Sequence, residues 1–145
     1  MRKWIVPALT SLLMLPLAAE AETSVEAGSW EIGEKTAIEG QPEMAAPSRT
    51  VCLGRGEATL ERLVMPPPEQ MAARKCTAGL EASGGTAKAT MTCPMSDDGP
   101  AITGNLDIKY SATGYEATGP IEFKMKDGSG GKGKTTLAGK RVGDC

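Results

Sequence analysis

Strict alternation of apolar and polar side chains is the clearest pattern along the chain. Leu106, Ile108 and Tyr110 alternate with Asp107 and Lys109, and Ile121, Phe123 and Met125 alternate with Glu122 and Lys124. Side chains of an extended backbone point alternately to its two faces, so each run predicts a strand with one buried and one wet face. Residues 111–115 supply the turn between them. Upstream, residues 29–38 place Trp30 and Ile32 on one face of a first strand, and residues 49–53 offer Val51 and Leu53 for a second. A last strand spans residues 134–142, with Leu137 as its apolar anchor.

The period changes once. After Glu57, Leu60, Leu63 and Val64 recur at helical spacing until Pro66, Pro67 and Pro68 stop the continuation. This predicts a short helix within residues 56–64, followed by a further turn through residues 69–74. Residues 39–48, rich in Pro, Ala and Gly, read as a mobile loop. The expected fold is mainly β: an antiparallel meander forming a curved sheet or open barrel around one core, with one short helix after the second strand covering an end. Neither an internal repeat nor a linker divides it.

Between Cys76 and Cys93 the chain reads CTAGLEASGGTAKATMTC. A two-residue turn at Gly84-Gly85, where glycine accepts the positive φ required, sets Ser83 opposite Thr86. Counting outward pairs Leu80 with Ala89, Ala78 with Met91 and Cys76 with Cys93, all on one face. The two cysteines then form a non-hydrogen-bonded pair, whose Cα atoms approach to about 4.5 Å, within reach of a disulfide. Four cysteines admit three pairings; the hairpin selects Cys76 with Cys93, and by elimination Cys52 with Cys145. Two bridges complete the expected fold.

The N-terminus explains why the cysteines are oxidised. Met1-Arg2-Lys3 precedes an apolar stretch from Trp4 to Ala18, and Ala19-Glu20-Ala21 follows as an A-x-A-type site. Residues 1–21 therefore read as a secretory signal peptide cleaved between Ala21 and Glu22, leaving residues 22–145 as a single β-rich, disulfide-bonded domain. The apolar run, broken by Pro7 and Pro16, is too short for a stable membrane span.

Composition removes several kinds of chemistry. Sixteen basic residues against eighteen acidic ones, and few aromatic side chains, give no basic stacking surface for nucleic acid. The chain has no histidine, which removes the commonest general base, and its cysteines lack C-x-x-C spacing for zinc. The thioethers of Met44, Met65, Met71, Met91, Met95 and Met125 could attract Cu(I), but Met91 and Met125 fall on inward faces, where methionine fills gaps. No metal or cofactor is expected. Glu57, Glu61, Asp97, Asp98, Asp107, Glu116 and Glu122 fall on strand faces, helix surfaces and turns, as solvated acids do. Asp97-Asp98-Gly99 reads as a turn, not as half of a calcium loop. No catalytic residue emerges.

One motif competes with this account. Gly128-Ser129-Gly130-Gly131-Lys132-Gly133-Lys134-Thr135 satisfies G-x-x-x-x-G-K-[ST], the phosphate loop of nucleotide-binding proteins. That loop works between a buried strand and a helix whose N-terminus faces the phosphates. Ten residues follow Thr135, among them Gly139 and Gly143, and the preceding strands are amphipathic. The stretch is therefore expected to be a flexible turn joining two strands, with no nucleotide.

Gly28-Ser29-Trp30-Glu31, Cys52-Leu53, Cys76, Met91-Thr92-Cys93, Tyr110-Ser111, Gly114-Tyr115 and the ending Gly139-Lys140-Arg141-Val142-Gly143-Asp144-Cys145 together resemble domain-of-unknown-function family 3617. Its members are small exported proteins of Gram-negative bacteria, so the resemblance implies a periplasmic location and supports the disulfides; it brings no activity. The functional expectation is a noncatalytic module for an unknown small apolar ligand or a protein partner. The alternative is a carboxylate-based periplasmic hydrolase. A roomy concavity lined by Ile, Leu and Met would favour ligand binding, and a filled barrel a structural role.

Overall fold

The computed structural model describes residues 23–97 and 99–145. The expected signal peptide, its cleavage site at Ala21 and Glu22, and Asp98 lie outside the described residues. The chain runs β1 (Gly28–Ile38), β2 (Met44–Leu53), α1 (Leu60–Val64), α2 (Pro68–Ala73), β3 (Thr77–Ser83), β4 (Thr86–Cys93), β5 (Ala101–Tyr110), β6 (Gly114–Lys124) and β7 (Gly130–Gly143).

These strands form one seven-stranded sheet in the order β2-β1-β7-β6-β5-β4-β3, with every neighbouring pair antiparallel. From β3 to β7 the chain meanders, and β7 then lies beside β1. The sheet is not closed: β2 and β3 are its two edges. The segment joining them, residues 54–76, carries both helices across the inner face as a strap.

The inner face holds the core. Trp30 and Ile32 of β1, Leu53 of β2, Ala87 and Ala89 of β4, Ile108 of β5, Tyr115 and Ala117 of β6 and Leu137 of β7 are buried together with Leu60, Leu63 and Val64 of the strap. Trp30 is wholly enclosed, and its indole Nε1 donates to the Glu26 carbonyl at 2.9 Å, which removes the cost of burying that N–H. The outer face carries the polar half of each alternation. Lys88 of β4 pairs across the strands with Asp107 of β5 at 3.3 Å, and Lys132 of β7 with Glu122 of β6 at 3.1 Å.

Both disulfides form as expected, Cys76–Cys93 with Cα atoms 4.1 Å apart and Cys52–Cys145 with Cα atoms 5.8 Å apart. The β3–β4 hairpin has the register counted from its glycines, Ser83 opposite Thr86 and Leu80 opposite Ala89, with φ of 60° at Gly84 and 87° at Gly85. Cys76 is delivered to the hairpin by the end of α2. Lys75 takes a left-handed φ of 56°, the Cys76 N–H bonds the Met71 carbonyl at 2.9 Å, and the Lys75 N–H bonds the Ala72 carbonyl at 3.1 Å. This paired closure ends the helix sharply.

Several expectations need correction. Residues 44–48, expected to belong to a loop, belong to β2 and pair with residues 34–36 of β1 through a bulge between Ile32 and Glu34. The first half of this edge strand is exposed throughout, so hydropathy carries no trace of it, and Pro47 sits where a bulge tolerates a missing N–H. The further turn after the triproline is a true second helix, begun by Pro68 at its first position. Met125 lies beyond β6 and is 42 % exposed rather than inward. The turn before β6 is confined to residues 111–113, because Gly114 and Tyr115 already pair with β7 and β5.

The phosphate-loop match also resolves differently. Only its first two residues lie in a turn, closed by Met125 N–H to the Ser129 carbonyl at 2.7 Å and by Gly128 at φ 86°. Residues 130–135 belong to strand β7, paired throughout with β6 and from Gly133 onward also with β1, and no helix follows. Its glycines have a packing cause: a Cβ at Gly131 would lie 2.9 Å from ring atoms of Phe123, so the ring on β6 occupies the place of a side chain on β7.

Candidate functional site

The strap does not fill the hollow of the sheet. Between the two lies a cavity of about 440 Å³, in the size range of small-molecule sites. Val64, Met65, Pro66, Pro67 and Gln70 of the strap line one side; Ala89 and Met91 of β4, Leu106 of β5, Ile121 of β6 and Leu137 of β7 line the other. Each of these five sheet residues falls on the inward step of its alternation. Small residues there, Ala89 and Gly104, leave the room that larger ones would occupy.

The two sides of the cavity are held differently. The Tyr115 hydroxyl donates to the Leu63 carbonyl at 3.3 Å, fixing α1 to β6. The far end of the strap is held by Cys76–Cys93 and by Arg74, whose guanidinium donates to the Pro100 carbonyl at 2.6 Å. Between these anchors α2 has no buried residue. The cavity roof thus runs from the buried end of α1 through the prolines into α2, which lies against the sheet without burying a residue.

Two charged residues share the lining with the apolar ones: Glu34 of β1 and Arg49 of β2. Both are exposed, so they mark the solvent side of the cavity. Neither side chain makes a hydrogen bond or an ion pair with the other or with a third group among the described residues. Their fields reach the core: burial pushes the Tyr115 hydroxyl up to about 12, the Arg49 charge opposing the rise and the Glu34 charge adding to it.

Glu34 and Arg49 are not among the residues that sequence reasoning singles out. A signal for them exists: Glu34 follows Trp30 and Ile32 at steps of two, and Arg49 precedes Val51 and Leu53 in the same way, so each is a charge on a face otherwise apolar. The acids weighed for catalysis lie elsewhere. Glu57 pairs with Arg62 at 3.7 Å, Asp97 with Lys126, Asp107 with Lys88 and Glu122 with Lys132. Glu61 is half-buried on α1, Glu116 is exposed on the outer face, and Asp98 lies outside the described residues. The structure gathers none of them into a cleft. Met65 and Met91 reach the cavity, whereas Met44, Met95 and Met125 are exposed. No group of three Cys, Asp or Glu residues able to hold a metal ion occurs among the described residues.

A broader hollow of about 960 Å³ lies over the outer face. Glu81, Lys88, Asp107, Glu116 and Lys134 line it, and Lys88 and Asp107 are matched with each other across strands. An apolar wall with a few polar groups is what distinguishes a ligand site, and the inner cavity has that character.

The architecture is therefore that of a small disulfide-stapled open sheet with a strapped concavity. The chain belongs to a protein family of unknown function, DUF3617, whose model matches residues 25–145. That span includes every strand, both helices and all four cysteines. No match was found among curated proteins or among solved structures. No helix among the described residues is long and apolar enough to cross a membrane.

Proposed function

We propose that the protein is a noncatalytic periplasmic module that binds a small apolar ligand between its sheet and its strap. The cavity of about 440 Å³ lined by Val64, Met65, Met91, Leu106, Ile121 and Leu137 carries this reading. Removing an apolar group from water yields roughly 25 cal/mol per Å² buried, and a hollow formed in the fold spares the ligand the cost of opening one. The loosely held α2 supplies an entrance without disturbing the core. Export is supported by the leader at residues 1–21 and by the two disulfides, which persist in an oxidising compartment.

The test is titration of the mature protein with 1-N-phenylnaphthylamine, a neutral apolar dye. Saturable one-to-one binding is expected, and Ile121→Trp, which adds bulk at a half-buried lining position, should abolish it while the far-ultraviolet circular dichroism stays unchanged. Equal binding by wild type and Ile121→Trp would place the dye elsewhere and defeat the proposal.

A further inference from the structure

We propose that the ligand is a single-chain amphiphile with a zwitterionic head, its chain in the cavity and its head read by Arg49 and Glu34. This deepens the ligand-binding reading above and rests on it.

Two charged residues, Glu34 and Arg49, stand among the described residues that line the cavity, and the core behind them buries no charged group. Glu34 and Arg49 carry opposite charges, line one cavity and sit on strands that pair directly, yet they do not bridge to each other. The bulge between Ile32 and Glu34 sets them out of step: Arg49 lies opposite Ile32, and Glu34 lies opposite Ala46. A cation and an anion that do not bridge, side by side on the rim of an apolar hollow, complement a head bearing both signs. A purely anionic head would satisfy Arg49 and be repelled by Glu34, and a cationic head the converse.

Chain number follows from volume. At about 440 Å³ the cavity stands near the lower end of ligand-site sizes, which suits one alkyl chain and not two. The methionines Met65 and Met91 give its walls side chains that adapt to a flexible chain.

Three ligands sharing one chain separate head from tail: decylphosphocholine, decyl phosphate and decanol, each titrated calorimetrically below its micellar concentration. Decylphosphocholine should bind the mature wild type at least about tenfold more tightly than the other two, the scale of one charge-assisted contact. Arg49→Gln and Glu34→Gln should each bring it down to the affinity of decanol while leaving decanol binding unchanged. Both positions are exposed, and thermal unfolding checks that the variants fold. Equal affinity for all three ligands, or selectivity unaltered in both variants, overturns the head-group inference and leaves the cavity reading standing. Absence of binding by all three, together with failure of the dye titration, overturns the cavity reading itself.

Discussion

Tyr115 of β6 donates its hydroxyl hydrogen bond to the main-chain carbonyl of Leu63, fifty-two residues earlier on the strap. The bond joins two elements that no strand pairing connects, and it satisfies polar groups on both sides of an otherwise apolar core. Its strength depends on the phenol keeping its proton. Burial holds that proton up to about 12, against 10.0 for an ordinary tyrosine.

The folded protein thus retains the Tyr115 proton at a pH where the unfolded chain has lost it. Its contribution to stability is complete below pH 10 and is lost as pH rises from 10 to about 12. The loss amounts to about 2–3 kcal/mol. Tyr115→Phe removes both the bond and the titration. At pH 8 the variant should be about 1–2 kcal/mol less stable than wild type, since the Leu63 carbonyl is left unpaired. The difference should shrink and change sign as pH passes from 10 to 12. Urea unfolding at a series of pH values measures it; a constant difference across that range would show that Tyr115 does not titrate as a buried phenol.

The two disulfides should contribute unequally. Cys52–Cys145 closes a loop across 93 residues of sequence and Cys76–Cys93 one across 17. If the bridges act by restricting the unfolded chain, Cys52→Ala/Cys145→Ala should cost about 4–5 kcal/mol and Cys76→Ala/Cys93→Ala about 3 kcal/mol. Function should reverse the ranking. Cys76 anchors the strap beside the cavity, so its removal should weaken dye binding, whereas loss of the terminal bridge should leave the binding of folded molecules unchanged. Denaturant midpoints and dye affinities of the two double variants check both halves.

Trp30 offers an intrinsic reporter, because cleavage of the proposed leader at Ala21 would take away Trp4 and leave one tryptophan. That residue is fully enclosed. The mature chain should therefore begin at Glu22 by N-terminal sequencing of periplasmic material and show blue-shifted emission near that of an apolar solvent. Trp30→Phe should cost about 1–3 kcal/mol, through the space it leaves and the Glu26 carbonyl it abandons. Emission typical of an exposed indole would contradict the core placement.

Legibility in the sequence divides along physical lines. Gly84-Gly85 determines the hairpin register because a tight turn permits few alternatives, and the register then brings Cys76 to Cys93. Trp30, Ile32, Ile108 and Leu137 are legible because each lies on a strand with one wet face. Residues 44–48 are not, since an edge strand exposed on both faces has no alternation and its pairing is chosen by β1. The placement of β7 beside β1 is equally hidden, being a property of backbone hydrogen bonds between distant segments. Glu34 and Arg49 are legible in principle by counting in twos, but a charge on an apolar face is easily passed over beside the more conspicuous acids of the turns.

The glycines of β7 suggest flexibility in the sequence and prove to serve fit, which gives the last prediction. A Cβ at Gly139 would overlap the ring of Tyr115, with Cδ1 and Cζ at 2.9 Å. The ring cannot easily retreat, because it is buried and its hydroxyl is held by Leu63. Gly139→Ala should therefore cost about 1–3 kcal/mol, the usual penalty of overpacking. Gly33 provides the contrast on the neighbouring strand: a Cβ there would meet nothing within 4 Å, and its backbone is not in the left-handed region. Gly33→Ala should stabilise by about 0.4–1 kcal/mol through the unfolded chain. Thermal unfolding of the two variants makes the comparison. Because Gly139→Ala displaces the Tyr115 ring, it should also lower the pH at which that phenol ionises, read from its ultraviolet absorbance. Destabilisation without that shift would place the strain in the backbone of β7 instead of at the ring.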